Sequence, residues 1–154
     1  METDSPQTDH GLESLRQRRA ELRESMSALE QALAAPAADR KSVWAERVHV
    51  ALVELSADFR EHIDITEGPD GLYHGVLATA PHMSSSVAGL IREHIQIKAR
   101  ADQLLAMLSA PLAAADVDTA RDLGTTLIAK LSRHRQRGAD LVYEAYQTDI
   151  GGEN

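Results

Sequence analysis

The chain contains no cysteine and few aromatic residues, with one Phe, one Trp and three Tyr among 154 residues. Without cysteine it can form no disulfide, thiolate metal site or cysteine nucleophile, so any metal ligands must be His and carboxylate side chains. The shortage of aromatic residues and the lack of strand-like alternation argue against a β-sheet. The length predicts a single domain with a hydrophobic core of its own.

Positive charge is also scarce, because 16 Lys and Arg residues stand against 24 Asp and Glu residues. Nucleic-acid-binding surfaces usually combine runs of Lys and Arg with aromatic residues, and this chain has no Lys or Arg run that follows an aromatic residue. We therefore expect no nucleic-acid partner. No apolar stretch reaches the length of a membrane span, and residues 1–11 lack the apolar core of a signal peptide. These absences predict a soluble, cytoplasmic protein with no membrane partner.

Four prolines divide the rest of the chain into long segments with helical periodicity, since none of them can lie inside a helix. They are Pro36, Pro69, Pro81 and Pro111. Between them, apolar residues recur every three or four positions. We predict an all-α fold, an antiparallel up-down-up-down four-helix bundle over residues 12–148. Residues 1–11 are predicted to be a flexible N-terminal tail and residues 149–154 a C-terminal tail. Residues 72–82 are predicted to be the longest connection, with room for a short helix.

One histidine replaces an aliphatic residue on the inward stripe of each of the last three predicted helices: His62, His94 and His134. A helix rises about 1.5 Å per residue, so the distances from the turn between the last two predicted helices place His94 and His134 at the same height along the bundle. The long connection can bring His62 to that height as well. A single inward histidine is most often a core residue bonded to a carbonyl or a carboxylate. Three together in an apolar core predict a divalent metal site, which satisfies one nitrogen of each.

Carboxylates near this level are fewer than the histidines. Glu67 follows His62 by five positions, and Asp140 follows His134 by six, so we include both as candidate metal ligands. Nitrogen and carboxylate oxygen together suit iron, manganese or zinc.

Two other carboxylates and four other histidines lie near this set. Of these, His49 lies beside the stripe of the second helix and is expected to be a boundary residue. Glu61 and Glu93 directly precede two of the histidines and point away from them, so we expect solvated helix charges. His10, His74 and His82 lie before the first helix or in the long connection, where each could add a ligand.

Two segments, FREHIDITEGPDGLYHGVLATAPHMSSSVAGLIREH and LSRHRQRGADLVYEAYQTDIGG, resemble the hemerythrin-like, HHE cation-binding family. The resemblance spans nearly the whole chain and implies an up-down four-helix bundle. In its full form that family holds an oxo-bridged di-iron centre that binds oxygen. The resemblance implies that His62 is the family's second-helix histidine, His94 one of its third-helix pair and His134 its fourth-helix histidine.

The other ligand positions depart from the family's pattern. Thr66 stands four positions after His62 where the family has Glu, and Ala139 stands five after His134 where it has Asp. The stripe of the first helix carries Arg19 and no histidine. The resemblance therefore implies a divergent member that holds one metal ion or a labile pair.

Three functions of different classes remain open at this point. The leading one is a hemerythrin-like protein that binds a cation, first iron and alternatively zinc or manganese, and senses or responds to iron, oxygen, nitric oxide or peroxide. A peroxide- or nitric-oxide-reducing enzyme needs several bridging carboxylates, and the stripes supply only Glu67 and Asp140. The third is a metal-free helical scaffold or interaction module that has lost the di-iron site.

Overall fold

A computed structural model describes the backbone of residues 6–151 and the side chains of residues 13–147. All regular structure in that part of the chain is helical, as predicted, and consists of α1 (Pro6–Ala34), α2 (Lys41–Glu67), α3 (Leu72–Thr79), α4 (Ser84–Leu108) and α5 (Ala114–Gly151). A 3₁₀ turn, Pro81–Met83, joins α3 to α4. The first and last helices extend into the predicted tails, whose remaining residues, 1–5 and 152–154, lie outside the described residues.

The four long helices form a closed ring of packing contacts. α1 packs against α2 and α5, and α4 packs against the same two helices. Each helix turns one apolar stripe inward, as on α2, where the buried side chains recur every three or four positions. They include Trp44, Val48, Leu52, Leu55 and Phe59. The chain is therefore a helical bundle, and none of its described helices is long and apolar enough to cross a membrane.

The buried apolar side chains fall into two clusters. The larger one draws on all four long helices and runs along most of the bundle. The smaller one lies around α3, which packs against α2 and α5 near one end of the bundle. Its buried members are Tyr73, Val76, Ala80, Met83, Val87, Leu90, Leu141 and Ala145. The predicted connection between the second and third long helices thus contains a short helix that builds a second core.

Arg121, near the start of α5, connects that helix to the end of α1, at the end of the bundle away from α3. Its guanidinium donates hydrogen bonds to the backbone carbonyl oxygens of Leu33 (3.0 Å) and Ala35 (2.8 Å), which the ending helix leaves without partners. The same guanidinium lies over the ring of Trp44 on α2, 5.4 Å from its centroid. One cation therefore holds three helices together at this end of the bundle.

The link from α2 to α3 gives the first prediction. A Cβ on Gly71 would lie 2.5 Å from the carbonyl oxygen of Ile65 and 2.8 Å from that of Thr66. Because backbone atoms cannot rotate away, we expect Gly71→Ala to lower the free energy of unfolding by about 1–3 kcal/mol. Gly75, inside α3, has open space around its Cα, so Gly75→Ala should raise it by up to about 1 kcal/mol. Urea unfolding followed by circular dichroism compares the two, and equal stability would contradict this close approach.

Candidate metal centre

The structure brings the three histidines of the inward stripes together. The ring centroids of His94 and His134 lie 4.6 Å apart, and that of His62 lies 5.1 Å and 5.3 Å from theirs. One nitrogen from each ring lies within 4.8 Å of the other two. His94 is 1% and His134 2% exposed, while His62 is partly buried. The three side chains therefore lie at the same height in the bundle, as predicted.

This histidine layer lies where the two apolar clusters meet. Phe59, from the larger cluster, contacts all three rings, with centroids 5.6 Å from His62 and His94 and 6.1 Å from His134. Tyr73, from the smaller cluster, stacks on His94 at 5.8 Å. Aromatic side chains from both clusters therefore hold the layer.

Two carboxylates fix the orientation of the two most buried rings. Nδ1 of His94 lies 2.6 Å from Oε2 of Glu67, and Nδ1 of His134 lies 3.2 Å from Oε1 of Glu93. Because a carboxylate only accepts hydrogen bonds, each Nδ1 carries the proton and donates it. Each Nε2 is then left with a lone pair directed into the layer, which is the tautomer that binds metal.

The inward nitrogens are hydrogen-bonded within the layer itself. Nε2 of His62 lies 3.2 Å from Nε2 of His134, and the hydroxyl of Tyr73 lies 3.4 Å from Nε2 of His94. Since both acceptor nitrogens lack a proton, His62 and Tyr73 are the donors. The described residues thus form two chains of hydrogen bonds, each ending on a carboxylate.

Burial keeps all three rings neutral. It lowers the pKa of His62 to about 3, helped by the neighbouring histidines and then by Arg19 and Arg135. Burial also lowers the pKa of His94 and of His134, against the opposing effect of their carboxylate partners. The pKa of Tyr73 is raised to about 12, first by burial, so its hydroxyl keeps the proton that it donates.

The donor set fits one metal ion. Neutral imidazole nitrogens suit iron, zinc, copper and nickel. Two nitrogens bound to one ion at about 2.1 Å lie roughly 3.0–3.4 Å apart, and the Nε2 atoms of His62 and His134 are 3.2 Å apart. An ion would take the place of their hydrogen bond, with the proton of His62 moved to its Nδ1. A carboxylate behind a ligating histidine is the usual support of such a site. A di-iron centre also needs bridging carboxylates, and the group formed by the described residues contains none.

The two predicted carboxylate ligands occupy different places. Glu67 belongs to the site through its 2.6 Å hydrogen bond from Nδ1 of His94. Asp140 is exposed and accepts a 2.9 Å hydrogen bond from the side chain of Gln136. The structure therefore brings Glu67 to the site as an orienting group and does not bring Asp140 into the converging group.

The other candidate positions do not join the converging group either. His74 and His82 are exposed, and the side chain of His10 lies outside the described residues. Thr66 turns its hydroxyl back to its own helix, where it donates a 2.8 Å hydrogen bond to the carbonyl oxygen of His62.

Glu93 belongs to the site, although the sequence predicted a solvated helix charge at this position. Its side chain is 16% exposed, and it accepts hydrogen bonds from His134 and, at 2.6 Å, from Arg137. The expectation of a solvated charge was wrong because it considered only His94, on the same helix, and not the facing helix α5. The sequence signal that could have identified Glu93 was its position next to the buried stripe of α4, on the side that faces α5. Glu61, by contrast, is 47% exposed and pairs with Arg18, as expected of a surface charge.

A pocket of about 270 Å³ leads from solvent to the histidine layer. His62 and His134 line it together with Thr66 and Tyr73. Four arginines also line it. The sequence pattern indicated only Arg19, which it placed on the inward stripe of the first helix and which is exposed in the structure. The four are Arg18, Arg19, Arg23 and Arg135. A small ligand can therefore reach the buried rings from one side of the bundle.

Comparison of the chain with family models, curated proteins and solved structures finds no match. The resemblance to the hemerythrin-like family stays a prediction.

The buried rings predict an acid-sensitive stability. His62 titrates near pH 6.5 in the unfolded chain and near pH 3 in the folded one. Below about pH 6.5 the unfolded state therefore binds a proton that the folded state does not, so stability falls as the pH drops towards 3 and is unaffected above 7. Urea unfolding of chelator-treated protein at several pH values measures this, and His62→Gln should show a shallower fall. An equal fall in both proteins would contradict the burial of His62.

Proposed function

We propose that this chain is a hemerythrin-like cation-binding protein in which His62, His94 and His134 hold one metal ion. The observation that carries the proposal is the convergence of three neutral imidazoles, two of them oriented by carboxylates. Buried imidazole nitrogens need partners, and one nitrogen from each of the three rings lies within 4.8 Å of the other two. The site is thus suited to a cation that all three nitrogens share.

The proposal includes an antiparallel up-down-up-down arrangement of the long helices. Cross-helix bonds pair rising residue numbers on one helix with falling numbers on its neighbour. Arg18 bonds Glu61, and Ser25 bonds Asp58 on the same helix pair. Short links between α1 and α2 and between α4 and α5 favour the same arrangement.

Iron is the cation that we propose first, with zinc or manganese as alternatives. Bound iron would supply redox chemistry towards oxygen, nitric oxide or peroxide. The chain's own residues hold the rings: Glu67 and Glu93 keep the protons on Nδ1 of His94 and His134, and Phe59 packs against all three rings. Since bridging carboxylates are missing from the group, we propose sensing or response to these small molecules rather than enzymatic turnover.

A metal-free scaffold or interaction module is the second candidate, and one observation favours it. The hydrogen bonds within the layer satisfy the inward nitrogens of His94 and His134 without any added group. A protein core can retain a polar network whose groups are hydrogen-bonded, because such a network makes the core rigid and specifies one packing arrangement. The two candidates differ in whether the layer gains stability from a metal ion.

Metal content tests the proposal. Protein purified without chelators should contain, or gain on anaerobic addition of ferrous iron, about one equivalent of metal, measured by elemental analysis. Loading should raise the melting temperature, because the ion binds only the folded state. His94→Gln should lower the affinity at least about a hundredfold, while His49→Gln, on the same bundle and outside the group, serves as the matched control. If no metal is bound or gained, the scaffold is the supported function.

The orienting carboxylates give a finer test. We expect Glu67→Gln and Glu93→Gln each to lower metal affinity by about 10–100-fold, because an amide holds the ring and its tautomer less firmly. Glu54→Gln removes the same charge from an exposed position on α2 and should leave the affinity unchanged. Asp140→Asn should also have no effect, and a loss there comparable to that of Glu67→Gln would restore Asp140 as a ligand.

A further inference from the structure

The pocket beside the histidine layer concentrates positive charge in a chain whose net charge is −8. We call it the arginine pocket: the space of about 270 Å³ lined by Arg18, Arg19, Arg23 and Arg135 together with His62 and His134. Three of these arginines come from α1 and one from α5. Packing of the two helices therefore gathers the charge from separate parts of the sequence.

Among the described side chains, three of the four guanidiniums have no acidic partner. Arg18 pairs with Glu61 and Glu21. No ion pair joins Arg19, Arg23 or Arg135 to any carboxylate in the part of the chain that the structure describes. No Asp or Glu is among the described residues that line the pocket. Within residues 13–147, only Arg18 of the four therefore has its charge neutralised by a carboxylate.

The unpaired charges lie close enough to act on one another. Arg135 is partly buried, and its pKa is lowered first by burial and then by Arg23 and Arg19. Arg19 and Arg135 also act on His62 at the inner wall. Such mutual repulsion at a partly desolvated position is relieved when an anion binds between the guanidiniums.

We infer that the arginine pocket binds a small oxyanion, a phosphate or carboxylate group, between Arg19, Arg23 and Arg135. Guanidinium groups present paired donors that match both phosphate and carboxylate oxygens. Apolar side chains such as Leu15 and Leu22 line the same pocket and shield these hydrogen bonds from water. The ligand's inner end meets His62 and His134. This inference does not rest on the proposed metal site, because the guanidiniums need no metal.

Chelator-treated full-length protein tests the inference. Inorganic phosphate and acetate are titrated separately, at constant ionic strength set with sodium chloride, and binding is followed by calorimetry and by the amide signal of Gly138 at the pocket wall. We expect saturable binding of at least one of the two anions. Binding of phosphate alone assigns a phosphate-type ligand, and binding of acetate alone assigns a carboxylate. No saturable binding of either overturns the inference.

Matched variants separate the pocket from general electrostatics. Arg19→Gln and Arg135→Gln should each weaken binding about tenfold or more, as expected for a lost charge-assisted hydrogen bond. Arg16→Gln and Arg133→Gln remove the same charge from exposed positions on the same two helices, outside the pocket lining, and should change affinity less than about twofold. An equal loss in pocket and control variants would overturn the inference.

A steric variant gives an independent test. A Cβ on Gly138 would meet nothing within 4 Å, so Gly138→Leu fills open space at the pocket wall without disturbing the fold. It should abolish anion binding while the circular dichroism spectrum and the urea unfolding midpoint stay close to those of the original protein. Retained anion binding in this folded variant would place the anion elsewhere and overturn the inference.

Discussion

The structure depends on how the bundle satisfies three imidazoles in its interior. A buried nitrogen without a partner costs roughly 1–3 kcal/mol, so three rings at one level are tolerated only if each is hydrogen-bonded. Glu67 and Glu93 accept from His94 and His134, and His62 and Tyr73 donate to the remaining inward nitrogens. Because these bonds cross from helix to helix, they set the relative rotation of α2, α4 and α5.

The need to hydrogen-bond the buried rings also explains how the segment between α2 and α4 folds. Tyr73 reaches His94 only because α3 folds back against α2 and α5 and builds the smaller apolar cluster around itself. Glu67 reaches His94 from the last turn of α2, directly before the turn that leads to α3. The close approach at Gly71 makes that turn tight. The second core thus serves to enclose the histidine layer.

Charge is distributed unevenly around this layer. Carboxylates lie behind His94 and His134, whereas arginines line the pocket on the side of His62. The rings stay neutral because burial outweighs the carboxylates behind His94 and His134, while the arginines beside His62 act in the same direction as burial. Neutral rings with a cationic approach are compatible with a small anionic or uncharged ligand near the layer, and the arginines oppose the entry of any free cation through this pocket.

Local pattern was enough to predict the helices and the inward histidines. Proline position and the spacing of apolar residues act within one segment, so they specify helix ends and the buried stripe, on which His62, His94 and His134 lie. The partners of those histidines were decided by tertiary structure. Glu93 and the arginines lie beside the stripes, where their surroundings depend on which helix is the neighbour and how it is rotated. Asp140, six positions from His134, shows the same limit, since closeness in sequence did not place it at the site.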